Sequence, residues 1–185
     1  MKTYVALLRA VNVGGTGKLA MADFRAVMKK LGYGNIETYI QSGNAVFDAD
    51  KGEAAVAKEL AAALEKFMGA PVGVILRTHE EMGRVIERNP FAAEAAADGA
   101  RVHGCFLGTP AAATAKEGLD ALVAKYPARR DRFHLAGDML YLHLPDGAAE
   151  TKFSGKGLDK ILGVAATGRN WNTVLKLFAM SKDRG

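Results

Sequence analysis

The sequence predicts an α+β protein made of duplicated ferredoxin-like (βαββαβ) subdomains, the second incomplete and completed by a C-terminal helix. Three observations carry this expectation. β-rich runs and helical stripes alternate in the order β-α-β-β-α-β over residues 4–77. The same order restarts near residue 101 but stops after its second helix. Turn residues stand where hairpins are needed, at "SGN" and at Gly137-Asp138. The expected boundaries are 1–78 for the first subdomain, 79–99 for a connecting helix and linker, and 100–185 for the second subdomain with its C-terminal helix.

Each element has its own signal. "YVALLR" (4–9) is an apolar run ending in the glycine-rich "NVGGTGK", which reads as strand then loop. Phe24, Val27, Met28 and Leu31 recur at helical spacing, and Gly32 is placed to stop that helix. "NIETYIQ" and "AVF" flank "SGN" as a hairpin. Val56, Leu60, Leu64 and Phe67 form a second stripe, closed by Gly69, before the strand "PVGVILR". Thr78 and Glu81 make a capping-box pattern for a helix carrying Met82, Val85 and Ile86, broken by "NPF". In the second pass "RVHGCFL" is a strand and Thr109-Pro110 opens a helix lined by Leu119, Leu122, Val123 and Tyr126. "RFHLAGDMLYLHL" is a hairpin, and Gly163 stops a helix bearing Leu158, Ile161 and Leu162. Trp171, Val174, Leu175 and Phe178 then mark the last helix.

Composition bounds the function. An apolar share of 49% and a charged share of 24% are those of an ordinary globular chain. No apolar run approaches the roughly 20 residues that span a bilayer, so no membrane partner is expected. The start reads as a buried strand rather than a signal peptide, because Arg9 interrupts its apolar run and no cleavage site follows. With Cys105 alone there is no internal disulfide, and the expected compartment is the cytoplasm. The net charge of +5 is uneven: residues 1–34 carry +5, residues 35–149 carry −4 and residues 150–185 carry +4. Basic ends brought together would attract anions; solvated lysines on helix faces are the plainer explanation.

The predicted topology also places loops. In a βαββαβ unit the first two strands run the same way, so the loop after strand one and the turn after strand two share one end of the sheet. Here those are Asn12–Lys18 and Gln41–Asn44, and the first helix starts there too. Its free N–H groups and positive dipole end favour an anion. Gly14 and Gly15, with Gly17, would let backbone N–H groups approach a ligand. Arg9 and Lys18 would add charge. Asn12, Gln41, Ser42 and Asn44 would add neutral donors and acceptors. At the far end of the chain, Thr167, Asn170 or Asn172 could cap the last helix. Arg169 beside a helix N-terminus opposes the dipole unless an anion or carboxylate is near. That makes Arg169, Asn170 and Asn172 further candidates for ligand contact, expected near the Asn12–Lys18 loop.

"LLRAVNVGG", "TYIQSGNAVF", "NPF", "YLHLPDG" and "GRNWNTVLKL" resemble the signature blocks of a bacterial family known as domain of unknown function 1697. The resemblance implies a duplicated ferredoxin-like fold in a small bacterial cytosolic protein. It implies no reaction and so no catalytic residue. The chain departs from the family in Ala10, where a glycine is typical, in Val11 for isoleucine and in Ala20 for a common proline. Ala10 weakens the idea that a ligand touches the backbone there.

Other patterns fail their own tests. "GGTGK" lacks the first glycine of a P-loop, since Asn12 stands there, and Leu19 replaces the Mg²⁺-binding hydroxyl. "SGKG" (154–157) reads as a loop leading into a helix. The four histidines have no ligand spacing, so neither metal nor cofactor is expected. No serine, histidine and carboxylate can be grouped as a triad, which neither supports nor excludes an enzyme. The third strand offers only Phe47 for base stacking, which disfavours sheet-face RNA binding; the basic ends leave backbone-only nucleic-acid contact open. The leading expectation is a binding protein for a phosphate-bearing or other anionic small molecule at the glycine-rich edge. The alternatives are an enzyme acting on a small polar substrate at that edge, and a protein or nucleic-acid interaction module. Oligomeric state is not set by the sequence.

Overall fold

A computed structural model describes residues 1–185 apart from Thr16, Asp183 and Gly185. Among the described residues the chain forms eight strands, in two four-stranded antiparallel sheets, and seven α-helices. It divides into two compact units: Met1–Arg84 with Lys176–Gly185, and Val85–Leu175.

The first unit runs β1 (Lys2–Leu8), α1 (Met21–Lys30), β2 (Gly34–Tyr39), β3 (Asn44–Ala49), α2 (Glu53–Met68) and β4 (Val74–Thr78). Its sheet order is β2-β3-β1-β4 with every neighbour antiparallel. β1 and β2 therefore point the same way, and the loops that follow them share an end. On one sheet face Tyr4, Ala6, Leu8 and Phe47 pack with Phe24 and Met28 of α1 and Leu60 and Leu64 of α2. Val5, Leu7 and Val46 on the other face are also buried. Burial on both faces explains why "YVALL" is apolar throughout instead of alternating. Phe67, expected on the buried stripe of α2, is 52% exposed. It lies in the last turn of the 16-residue helix, three residues past the buried Leu64.

α3 (His79–Glu87) opens with the capping box: Thr78 N–H donates to Glu81 Oε2 (2.7 Å) and Glu81 N–H to Thr78 Oγ1 (3.2 Å). α4 (Ala92–Ala97) follows "NPF".

The second unit continues with β5 (Val102–Leu107), α5 (Ala115–Lys125), β6 (Arg132–Ala136), β7 (Met139–His143), α6 (Gly155–Leu162) and β8 (Ala166–Asn170). Its sheet order is β6-β7-β5-β8, again antiparallel throughout. Cys105, Leu107, Leu140 and Leu142 pack with Leu119, Leu158 and Leu162. The expectation of an incomplete second sheet is corrected, because β8 supplies the fourth strand. "ATGRN" hid it: Thr167 and Arg169, not apolar residues, are its inward positions. The helix expected from Thr109-Pro110 starts later, at Ala115. Ala111 N–H and Ala112 N–H are committed to Gly137 O (3.2 Å) and Leu162 O (2.8 Å), which holds that segment out of a helix.

The last helix, α7 (Trp171–Ser181), begins in the second unit and ends in the first. Trp171, Val174 and Leu177 are buried, but Leu175 is 44% exposed. At about 100° per residue the buried arc centres on Val174, Leu177 and Ser181, and Leu175 falls well outside it.

Candidate functional site

The loop edge of the first unit is built by three close backbone approaches. Leu8 N–H donates to Gly43 O (2.8 Å), Arg9 N–H to Gly73 O (2.9 Å), and Asn12 N–H to Gly17 O (2.9 Å). These bring together the exit of β1, the β2–β3 turn, the entry to β4 and the loop before α1. The backbone turns sharply here. Ala10, Asn12, Gly14, Gly15, Gly17, Ile40 and Gly43 all have φ between +48° and +82°. Ala10 sits at φ 56°, a left-handed angle that glycine adopts most readily. Replacing it, Ala10→Gly, is expected to stabilise the protein by about 0.5–1 kcal/mol, read as a higher urea midpoint. An unchanged or lower midpoint would count against a left-handed Ala10.

Asn12 is the clamp of this edge. Its Nδ2 donates to Leu19 O (2.8 Å) and Gln41 O (2.7 Å), and its Oδ1 accepts from Leu19 N–H (2.9 Å). Asn44 is fully buried, with Nδ2 donating to Tyr39 O (3.0 Å) and Ser42 Oγ (2.8 Å). Four candidates are thus tied in two pairs, Asn12 to Gln41 and Asn44 to Ser42, through side chains that hold the loops. Gln41 is exposed, as are Lys18, Gly14 and Gly15, while Ser42 and Arg9 are half-buried. The Arg9 side chain lies over Gly73. Among the described residues, chain neighbours aside, Gly14 and Gly15 have no atom within 4 Å of where a Cβ would stand. α1 begins after Ala20, which supplies no side-chain cap, and Asp23 lies in its first turn.

Arg169, Asn170 and Asn172 belong to the second unit. Arg169 is an inward residue of β8, not part of the helix, and donates to Gly168 O (2.9 Å). Burial lowers its pKa to about 10. Asn170 caps α7, its Oδ1 accepting from Thr173 N–H (3.0 Å). Asn172 is exposed. Burial also pushes the Cys105 thiol up to about 12, so it stays a neutral core side chain.

A pair far apart in sequence escaped the reading of local patterns. His79 Nδ1 lies 2.8 Å from Ser181 Oγ, its ring stacked on Phe178 (4.3 Å, 9°). Both residues border a cleft of about 500 Å³ with Lys2, Thr3 and Arg184. The serine proton goes to Phe178 O (2.8 Å), so the imidazole donates to Ser181 Oγ. That polarity makes the pair a helix-end tie rather than a nucleophile with its base.

The fold and this edge define a mixed α+β protein whose two units share one strand order and one of which carries a glycine-rich loop clamped against a hairpin. The chain belongs to the family described as protein of unknown function (DUF1697), whose model matches residues 1–141. In fold it is similar to the conserved bacterial protein SP0830 from Streptococcus pneumoniae: 22% identity, TM-score 0.67, covering 98% of this chain and 99% of that one. A search of the curated proteins finds no match.

Proposed function

We propose that the Gly14–Lys18 edge binds a small anionic ligand, with a phosphate group the best chemical match. The observation that carries the reading is the tip at Gly14 and Gly15. Both are in the left-handed region, with no other described residue within 4 Å of a would-be Cβ, on a loop that Asn12 holds in place. Exposed backbone N–H groups in such a turn, beside a helix start with no side-chain cap, favour an anion. Lys18 and Arg9 supply positive charge at the same end. Asn12 and Asn44 are positioning residues in this reading, since their amides already hold backbone and Ser42.

Two broader readings accompany it. The matching strand orders support a duplicated ferredoxin-like architecture. The lone buried cysteine and the bacterial protein of similar fold support a bacterial cytoplasmic protein.

Inorganic pyrophosphate tests the site. The melting temperature is expected to rise by several degrees at low salt, and the rise is expected to shrink at about 0.5 M salt and in Lys18→Ala. No rise, or an equal rise in Lys18→Ala, would remove the proposal.

A further inference from the structure

We propose that the outer edge of β6 is a docking groove for an extended segment of another polypeptide, one that brings a lysine or arginine to Asp131. β6 is the outermost strand of its sheet and is hydrogen-bonded on one side to β7. Among the described residues no main-chain group pairs with its other side. Such an edge is a template for one more strand. A cleft of about 440 Å³ runs along it. Its walls come from both faces of the strand: Phe91 and His134 on one, Val123 and Phe133 on the other. A cleft that wraps an edge strand in this way has room for a chain lying beside it.

Asp131 is the second, independent observation. It stands just before β6 and lines the cleft, with its side chain 3% exposed. Oδ2 accepts from Thr151 Oγ1 (2.9 Å) and Arg129 Nε (3.4 Å). Oδ1 is buried and has no hydrogen-bond partner among the described residues. A buried carboxylate oxygen without a donor is destabilising, and a cationic donor relieves it best. Arg132, the next residue, is engaged elsewhere: it contacts Glu94 and stacks over Phe91 (5.1 Å). Strand alternation puts Asp131 and Phe133 on one face. A partner strand would therefore place its basic residue against Asp131 and an apolar residue two positions away against Phe133 and Val123, the latter 38% exposed. The unpaired groups are main-chain N–H and C=O, which specifies a polypeptide.

The probe is an end-blocked, dye-labelled peptide, Thr-Val-Thr-Lys-Thr-Val-Thr, titrated against the full chain by fluorescence anisotropy. Saturable binding is expected, about tenfold weaker when the lysine is glutamate, and abolished when alternate amides are N-methylated. Exchange of the β6 amides is expected to slow in the complex. Asp131→Asn should reduce the lysine preference to about threefold or less. If that variant fails to fold, the peptide comparisons on the native chain decide. No binding, equal binding of the N-methylated peptide, or equal binding of the lysine and glutamate peptides would overturn the proposal. In the last case a bound water alone serves Asp131 Oδ1.

Discussion

Gly43→Ala is expected to destabilise the first unit by about 3 kcal/mol or more, lowering the melting temperature by roughly 10 °C or more. Two effects add. Gly43 has φ +82°, where any Cβ costs about 1 kcal/mol. The new Cβ would also lie 2.5 Å from Val11 Cγ2 and 2.7 Å from Leu8 Cβ. Both are packed side chains with no room to yield, since Leu8 is fully buried and Val11 is 1% exposed. Gly14→Ala separates the two effects. Gly14 shares the left-handed conformation, at φ +60°, but faces open space, so it should lose only about 1 kcal/mol. Thermal unfolding of both variants is the measurement. Equal losses would mean that the turn does not press on β1 as described.

Trp171→Ala is expected to cost about 3–5 kcal/mol, and Trp171→Phe about 1–2 kcal/mol. The indole is 4% exposed and lies 6.3 Å from the Tyr141 ring. The Asn170 cap survives either change, so the loss would report packing and not helix initiation. Trp171 is the only tryptophan, so unfolding must be followed by far-ultraviolet circular dichroism instead of fluorescence. A loss below about 1 kcal/mol would show that the indole is not a core side chain.

Element order was legible because apolar periodicity and turn residues agree over most of the chain. Val56, Leu60 and Leu64 announce α2, and Gly137-Asp138 marks the β6–β7 turn as expected. β8 was not legible, because what it buries is a threonine and an arginine. The exposure of Phe67 and Leu175 was not legible either, since it depends on which tertiary neighbours cover the end of α2 and each side of α7. At the candidate edge the meeting of the two loops followed from strand direction alone. The role of Asn12 did not, because an amide that could serve a ligand is chemically the same as one that clamps a loop. Its three hydrogen bonds to Leu19 and Gln41 decide between them. Ala10 shows the converse: a departure from the family's glycine looks conservative in sequence, and its backbone angle reveals the strain it carries.

The path of α7 has a consequence for how the protein is made. The first unit includes residues 176–185 as well as 1–84. Ser181 meets His79, and the Arg184 carbonyl accepts from Thr3 Oγ1. A ribosome delivers β1 through β4 long before it delivers these partners, and the whole second unit emerges in between. The second unit is contiguous and can fold as it appears, whereas the first must wait, partly assembled, for residues 176–185.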